Sequence, residues 1–558
     1  MTFRLCVKQV SSLLAGFIQP LLSCTPRSSA LVDGLSEGLV IGGHSVDLQV
    51  MSGQGQGMLF TVSATTADRS YVGTGNVPID MVPDDVLVEV FYFFTKPWIK
   101  RKTEWYTLVH VCQRWRYIVF ASPSRLGAQL VYTGKRPTSE MLDGLPVLPV
   151  VITDRPSSSL TLPLPLLPDS GWRNIAAALD SEHNRTCEID LAGIPYLHWE
   201  RISTVMQRPF PELTHLRIFL EDDWVAIIPD SFLGGSAPRL QMFTLRNASF
   251  PAMYKLLSSA NDLVTLRLCD IPDSGYISPE AVATCLLALP RLKSLCLQFK
   301  SPPFRSDSDP TTRCLSPLSC PVQHSLTELV FKGDHEYLED LVSQIGAPLL
   351  HILHISFFMD FHFHVPRLHR FINHTEIFKP FNPAMVFTFG RSIKFELCPT
   401  WVLDHQWKFV LEIGCWDSSP PLQLSSLAQV CSSSLTLIPR VERLSIRGSP
   451  YLQSLSEDNV AQWLELLNLF TAVKDLHLSF KVELHVCHAL GELATERVTE
   501  VLPALKYIYL EGYRPSGTVQ HVIQRFVAAR ELSGCPVVVR SWMNGWSSVP
   551  NLNPTLND

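Results

Sequence analysis

From about Trp172 onward, apolar residues recur in a unit that reads Pro-x-Leu-x-x-Leu-x-Leu. It stands as Pro211-Glu-Leu213-Thr-His-Leu216-Arg-Ile218 and again as Pro238-Arg-Leu240-Gln-Met-Phe243-Thr-Leu245. It returns at Leu263, Leu266 and Leu268, at Pro290, Leu292, Leu295 and Leu297, at Leu326, Leu329 and Phe331, and at Leu350, Leu353 and Ile355. After a gap it resumes at Pro439, Val441, Leu444 and Ile446, at Val473, Leu476 and Leu478, and at Pro503, Leu505, Ile508 and Leu510. The first apolar positions advance by 27, 23, 29, 34 and 24 residues in the early set and by 32 and 32 in the late one. Side chains alternate along a strand, so the paired apolar residues share one face of a short strand and the earlier one packs at the turn into it. The proline ends the preceding helix, because its ring removes a backbone donor. Units of this length stack to bury a continuous core, which predicts an irregular α/β solenoid with parallel strands on the concave side and helices on the convex side.

Helical stripes lie between these strands. Ser278-Pro279 opens one that buries Val282, Cys285, Leu286 and Leu289. Ser456 to Phe470 places Val460, Trp463, Leu464 and Leu467 on one face, Tyr337 to Ile345 ends at Gly346, and Thr518 to Leu532 precedes a strand at Val537 to Arg540. The region from Met359 to Ser434 lacks the unit, and strands are predicted near Met385 to Phe389, Ser392 to Leu397 and Lys408 to Ile413. Upstream, Leu126 to Thr133 and Leu145 to Thr153 read as strands, with a Ser- and Pro-rich loop from Ser157 to Asp169.

A different pattern occupies Pro78 to Ser122. Pro83, Asp84 and Asp85 suit the first turn of a helix, and Val86, Leu87, Val90, Phe91 and Phe94 follow at helical spacing. Trp105, Leu108, Val109 and Cys112 repeat the stripe, and Trp115, Ile118 and Val119 give a third before Ser122-Pro123 stops it. A segment this short cannot bury all of that surface against itself, so part of the seam is expected to meet another domain or another protein.

Val82-Pro83, Asp85, Leu87, Val90-Phe91, Leu108, Val111-Cys112 and Trp115-Arg116 resemble the F-box. The chain departs from that pattern in carrying Val82 for the leading Leu and a polar insertion from Thr95 to Thr103. The resemblance covers about one tenth of the chain, a combined match of several residue types in fixed order. It implies that Pro83, Leu87, Val90, Phe91, Leu108, Val111, Cys112 and Trp115 bind a Skp-type adaptor. It further implies that the chain is a non-catalytic substrate receptor of a cullin-RING ubiquitin ligase, with an unidentified target protein on the following domain. The repeats likewise resemble the irregular leucine-rich repeats found behind F-boxes. They lack the usual Asn beyond each strand, where Glu221, Ala248, Ile271, Lys300 and Asp334 stand instead. The alternative is a scaffolding repeat protein in which the three helices only cap the solenoid.

The resulting layout is a low-complexity, disordered region at 1–76, the F-box at 77–123, connecting strands and loop at 124–171, the repeat domain at 172–541 and a tail at 542–558. A formal charge of -6 and a pI near 6.3 argue against a large nucleic-acid footprint, which needs a basic surface. The basic run Lys96 to Lys102 reads as a solvated loop. The 14 cysteines show no Cys-x-x-Cys pair, and residues such as Cys269 and Cys296 read as small core hydrophobes in a reducing compartment. Arg4, Lys8 and the apolar stretch Val10 to Leu22 look like a weak targeting segment, too short to span a bilayer, and Gln19-Pro20 interrupts it. Because the implied partners are cytosolic or nuclear, a cytoplasmic or nuclear chain without a membrane association is expected. A secreted chain would instead show cleavage near Cys24 and glycans on Asn184, Asn247 or Asn373.

Enzyme motifs are missing: there is no Gly-x-Ser-x-Gly, no Gly-x-x-x-x-Gly-Lys-Ser/Thr and no His-Glu-x-x-His, and no cofactor is implied. Histidines cluster at His351, His354, His362, His364, His369 and His374, and His362-Phe-His364 would share a face on a strand. No carboxylate or thiolate companion accompanies them, so polar repeat positions explain them more simply than a metal. Glu221-Asp222-Asp223 reads as a hydrated loop that could also greet a basic segment of a target. Trp224, Tyr254, Trp407, Trp416, Trp463 and Tyr509 divide between recognition surface and core, with core the larger share.

Overall fold

Two backbone arrangements recur along the apolar units among the described residues. The first residue of a unit closes a turn by donating its N–H three residues back, Leu213 to Phe210, Leu240 to Ala237, Leu263 to Ala260, Leu292 to Leu289 and Leu350 to Ala347, at 3.0 to 3.2 Å. Val441, Val473 and Leu505 repeat the turn with Ile438, Phe470 and Leu502, and all eight first residues are buried. One position later a single carbonyl accepts two N–H groups from the next unit. Thr214 O takes Gln241 and Met242, Gln241 O takes Val264 and Thr265, Val264 O takes Lys293 and Ser294, Lys293 O takes Thr327 and Glu328, and Thr327 O takes His351 and Ile352. Glu442 O and Lys474 O continue it in the late set. The ladder therefore advances with the uneven steps of the apolar unit, and the sequence period is a backbone period.

The structure is a computed structural model that describes residues 39–41, 44–51, 59–65, 82–95, 105–123, 125–138, 148–155, 167–221, 224–302, 325–358, 363–375, 383–388, 392–397, 409–414, 420–435, 438–448, 460–493, 497–511 and 517–542. Two compact units divide the chain, the first holding residues 1–131, 142–150 and 156–163 and the second holding 132–141, 151–155 and 164–558. In the first unit, strands β1 (Leu39–Ile41), β2 (His44–Met51) and β3 (Leu59–Thr65) pair antiparallel. These three strands lie within the region 1–76 expected to be disordered, where Ser45-Val46-Asp47-Leu48-Gln49-Val50 alternates with the period of a strand; the rest of that region lies outside the described residues. Helices α1 (Asp84–Thr95), α2 (Trp105–Val109) and α3 (Gln113–Ala121) follow.

The remaining elements run β4 (Leu130–Tyr132), β5 (Val150–Thr153), α4 (Asp169–Ser181), β6 (Thr186–Ile194), α5 (Tyr196–Val205), β7 (His215–Leu220), β8 (Ala226–Ile227), β9 (Met242–Arg246), β10 (Ala248–Ser249) and α6 (Met253–Leu257). They continue with β11 (Thr265–Ile271), α7 (Pro279–Leu287), β12 (Ser294–Phe299), β13 (Glu328–Gly333), α8 (His335–Gln344), β14 (Ile352–Phe358), α9 (Pro366–His374), β15 (Pro383–Thr388), β16 (Ser392–Leu397) and β17 (Phe409–Gly414). Last come α10 (Pro420–Ser434), β18 (Arg443–Gly448), α11 (Val460–Asn468), β19 (Asp475–Leu478), α12 (Phe480–Glu492), β20 (Tyr507–Glu511), α13 (Gly517–Leu532) and β21 (Val538–Trp542). Sixteen strands form one sheet in the order β21-β20-β19-β18-β15-β16-β17-β14-β13-β12-β11-β9-β7-β6-β5-β4.

Parallel pairing holds from β6 to β14 and from β18 to β21. Between them the chain doubles back. β14 pairs with β17 and β15 pairs with β18, both parallel, while β16 runs antiparallel to β15 and β17. The expected strands of this region are thus present, and β16 departs from the parallel order expected of the repeats. The short connection from β15 to β16, residues 389–391, suits an antiparallel return and is far too short for a parallel crossover.

Alternate strand residues bury against the helical layer. Leu216, Ile218, Leu266, Leu268, Leu295, Leu297, Leu329 and Phe331 are all buried, and Tyr337 of α8 lies on them, its ring 4.8 Å from Phe299 and 5.7 Å from Phe331. Ser278 caps α7 as expected, its Oγ accepting from Ala281 N at 3.2 Å with Pro279 next. Two boundaries and one buried face differ from expectation. α8 starts at His335 and leaves through an extended Ile345 rather than at Gly346. α11 buries Trp463, Leu466 and Leu467, with Leu464 only half-buried. The strand expected from Leu126 shrinks to β4, because Leu126 and Ala128 donate instead to Ser122 O and Pro123 O and prolong the turn after α3.

Without the regular asparagines, the turns find their partners one by one. Asn247, buried and at φ 59°, donates Nδ2 to Glu221 O at 2.5 Å and Trp224 O at 2.7 Å, while its Oδ1 accepts from Lys300 Nζ at 3.2 Å. Thr214 Oγ1 donates to Cys187 O and Thr327 Oγ1 to Lys293 O. Buried Glu339 of α8 accepts the N–H groups of Arg367 and Leu368 at 2.8 and 2.7 Å, capping α9 from the neighbouring helix. Glu339→Ala is expected to cost about 2 kcal/mol, two charge-assisted bonds to orphan helix donors being lost together; a urea midpoint matching the parent's would contradict the cap.

Candidate functional site

The three front helices close on their own apolar residues. Leu87 and Phe91 of α1 and Leu108 of α2 are buried, and the Phe91 ring lies 4.6 Å from that of Trp115 in α3. Leu87 N–H reaches Pro83 O at 3.0 Å, so the proline opens α1 where its own missing donor costs nothing. Arg114 ties α3 to that same end, donating Nε to Asp84 Oδ1 at 2.8 Å and NH2 to Val82 O at 2.5 Å. Cys112 does not extend the stripe of α2. It is the N-cap of α3, its Sγ accepting from Trp115 N at 3.5 Å.

Of the eight residues expected to bind an adaptor, Leu87, Phe91 and Leu108 serve the interior, Val111, Cys112 and Trp115 are half-buried, and Pro83 and Val90 are exposed. Val90 therefore leaves the buried face, and α1 buries Val88 with Leu87 and Phe91 instead. The apolar surface left open comprises Val90 and the tyrosines Tyr92, Tyr106 and Tyr117, none of which the stripe had singled out. Of the insertion Thr95 to Thr103, residues 96–103 lie outside the described residues, as does the side chain of Phe94.

The second surface is the sheet face turned away from the buried leucines. Its central row is the residue enclosed by each apolar pair: Arg217, Thr244, Arg267, Cys296, Val330 and His354 stand in register across β7 to β14. Ser445, His477, Tyr509 and Arg540 continue it across β18 to β21. Ion pairs lace this face, Arg217 with Asp190 at 3.4 Å, Arg246 with Asp270 at 2.6 Å and Arg267 with Glu328 at 3.9 Å. In each pair the guanidinium is the more exposed partner, 42% against 22% for the first, so hydrogen-bond donors point outward above covered carboxylates. Toward the C-terminus the face turns aromatic, with His477 stacked on Tyr509 at 4.3 Å and Arg540 over the Tyr507 ring at 4.5 Å. Burial pulls the His477 imidazole down to about 4, so it is neutral where it stacks.

No family model and no curated protein matches this chain. Among solved structures it is similar to the leucine-rich repeat-containing protein LegL7 from Legionella pneumophila, at 12% identity over 67% of this chain and 98% of that one, with a TM-score of 0.26. The leucine-rich-repeat-like reading of the second unit stands on the backbone ladder itself.

The other candidates disperse. Phe363 to Val365 lead into α9 and form no strand, which removes the shared face proposed for His362 and His364; His362 itself lies outside the described residues. His369 Nε2 meets the Asn373 amide at 2.8 Å and His374 Nδ1 donates to Arg370 O, and among the described residues no group of three His, Cys, Asp or Glu is placed to hold a metal. Asp222, Asp223, Trp407 and Trp416 lie outside the described residues. Trp463 is core, Tyr254 is exposed, and Trp224 and Tyr509 are half-buried. Asn247 is engaged at every amide atom, which leaves Asn184 and Asn373 as the exposed sequons. Among the described residues no helix is long and apolar enough to cross a membrane.

Proposed function

We propose that the chain is the substrate-recognition subunit of a cullin-RING ubiquitin ligase. Its front helices dock a Skp-type adaptor and its repeats hold the protein to be modified. The observation that supports this best is the division of labour within the motif. Leu87, Phe91, Leu108 and Trp115 assemble a three-helix unit, and Pro83 and Val90 remain on its outside as an anchor for a foreign helix. The repeats add a polar face whose guanidiniums and aromatic rings suit a protein partner. The chain supplies position rather than chemistry, raising the local concentration of target beside a charged enzyme, and it works in the cytoplasm or nucleus, where those partners reside.

Adaptor capture by the full chain tests the reading. Leu87→Asp is unsuited to the purpose, since a charge at a residue 2% exposed unfolds the helices. Val90→Asp places the charge on the outside, where Val90 is 52% exposed, and is expected to reduce capture of a Skp-type adaptor by about tenfold at unchanged helicity. If the parent chain captures no adaptor, the ubiquitin-ligase role is lost and a scaffolding repeat protein remains.

A further inference from the structure

We propose that Cys269 and Cys296 are a paired oxidation site on the polar face of the sheet, closing to a reversible disulfide when a hydroperoxide reaches Cys269. This rests on the sheet alone and is independent of the adaptor reading.

Both residues were expected as small buried hydrophobes, and Cys296 is buried while Cys269 is only half-buried. The register places both on the face opposite the strand leucines. Cys269 follows buried Leu268 on β11, and Cys296 lies between buried Leu295 and Leu297 on β12, so both thiols share the face of Arg217, Arg246 and Arg267. Their sulfurs are 3.9 Å apart and unbonded. Each has an arginine directly across the strand boundary, Arg246 opposite Cys269 and Arg267 opposite Cys296. This arrangement provides what a reactive thiol needs: a neighbouring cation, a hydrogen-bond donor and access. The hydrogen bond between the two thiols is the main cause holding Cys269 below the ordinary thiol range; Arg267 and Arg246 act in the same direction, while burial and the Asp270 carboxylate oppose them. Cys296 shifts upward, as the partner that keeps its proton. Access divides the roles as well, because Cys269 is partly exposed and Cys296 only 4% exposed. The other described buried thiols, Cys285, Cys431 and Cys487, are pushed upward by burial and have no thiol partner shown.

The chemistry balances as a two-electron oxidation. The Cys269 thiolate attacks the outer oxygen of ROOH, the O–O bond breaks, and RO− leaves and takes up the proton released from Cys269, giving ROH and a sulfenic acid at Cys269. The Cys296 sulfur then attacks the Cys269 sulfur; the S–O bond breaks, and the departing hydroxide takes the Cys296 proton and leaves as water. Two thiols and one hydroperoxide become one disulfide, one ROH and one water. A bound soft metal is the competing use for two thiols at this spacing, and the flanking Arg246 and Arg267 disfavour a cation there.

The experiment uses the full reduced chain, treated with an equimolar amount of hydrogen peroxide, alkylated with iodoacetamide and digested for mass analysis. A crosslinked peptide pair containing Cys269 and Cys296, returned to alkylatable thiols by dithiothreitol, is the expected result. Cys296→Ser should leave a Cys269 sulfenic acid trapped by dimedone, and Cys269→Ser should leave Cys296 alkylated. Arg246→Gln should slow bridging by about threefold or more, since it weakens the thiolate without touching either sulfur. Parallel circular dichroism confirms that each variant is folded. The proposal is overturned if Cys269 reacts no faster than the remaining cysteines, if it bridges to a different thiol, or if added Zn2+ is retained by the pair at equimolar concentration and blocks oxidation.

Discussion

Arg530→Ala is expected to destabilise the second unit by about 4 kcal/mol, the size expected when three carbonyls lose a charged donor and a large buried side chain leaves a void. Arg530 stands in the last turn of α13 and is fully buried. Its NH1 donates to Val498 O at 3.2 Å, and its NH2 donates to Pro503 O at 3.3 Å and Leu505 O at 3.2 Å. Those carbonyls belong to the turn before β20, so one guanidinium does for this repeat what an asparagine does in a regular one. Alanine strands the carbonyls and opens a void. Arg530→Met separates the two losses, because it fills the space but donates nothing, and it should recover less than half of the deficit. Chemical denaturation of both variants decides the matter. Equal stability of Arg530→Met and the parent would show that volume, not donation, holds the turn.

The second large effect is a pH dependence with two opposed sources. Burial, helped by the charge of Glu511, raises the Glu483 carboxyl from near 4.5 to about 7, and both its oxygens are buried without a hydrogen-bond partner. Its folded value lies above its unfolded one. Glu483 therefore costs the fold nothing below pH 4.5, and its penalty grows as pH rises through 7, to about 3 kcal/mol above that. Asp154, pushed up to about 6 by burial despite accepting from Ala192 N, acts with the same sign. His477 is the reverse, since its value falls from 6.5 to about 4 and its contribution is complete above 6.5 and lost as pH falls toward 4. Glu483→Gln should accordingly match the parent at pH 4.5 and exceed it by a widening margin up to pH 8. His477→Phe, which keeps a ring against Tyr509, should be relieved of the loss below pH 6.5. Urea midpoints across pH 4.5 to 8 test both, and a margin that stays constant with pH would remove Glu483 as the source.

How much of this was legible in the chain follows from which forces are local. The apolar pairs such as Leu266 and Leu268 marked strands, because a period of two is written in adjacent residues. The same pairs also mark the polar face, since the residue they enclose must point the other way, as Arg267, Cys296 and His477 do. Strand positions in 383–414 were readable, but their order in the sheet was not, because neighbours there are chosen by tertiary pairing. Among the front helices, Leu87 and Val90 looked alike on a helical stripe. Only the packing of α3 across α1 decides that one is covered and the other open. Glu339, Glu483 and Arg530 were invisible for a related reason: a charged residue reads as solvated until distant elements enclose it.

The doubling back of β15, β16 and β17 has a bearing on how the second unit assembles. A repeat array grows by each layer docking on the one before it in the chain. At β14 that succession breaks, because its neighbour β17 begins 51 residues after β14 ends, at Phe409 against Phe358. The sheet therefore falls into two runs of strands that follow the chain, joined by an insert whose own strands pair antiparallel with one another. Since β14 and β18 point the same way on either side of it, the insert is also a cassette whose three strands preserve the direction of the sheet they interrupt.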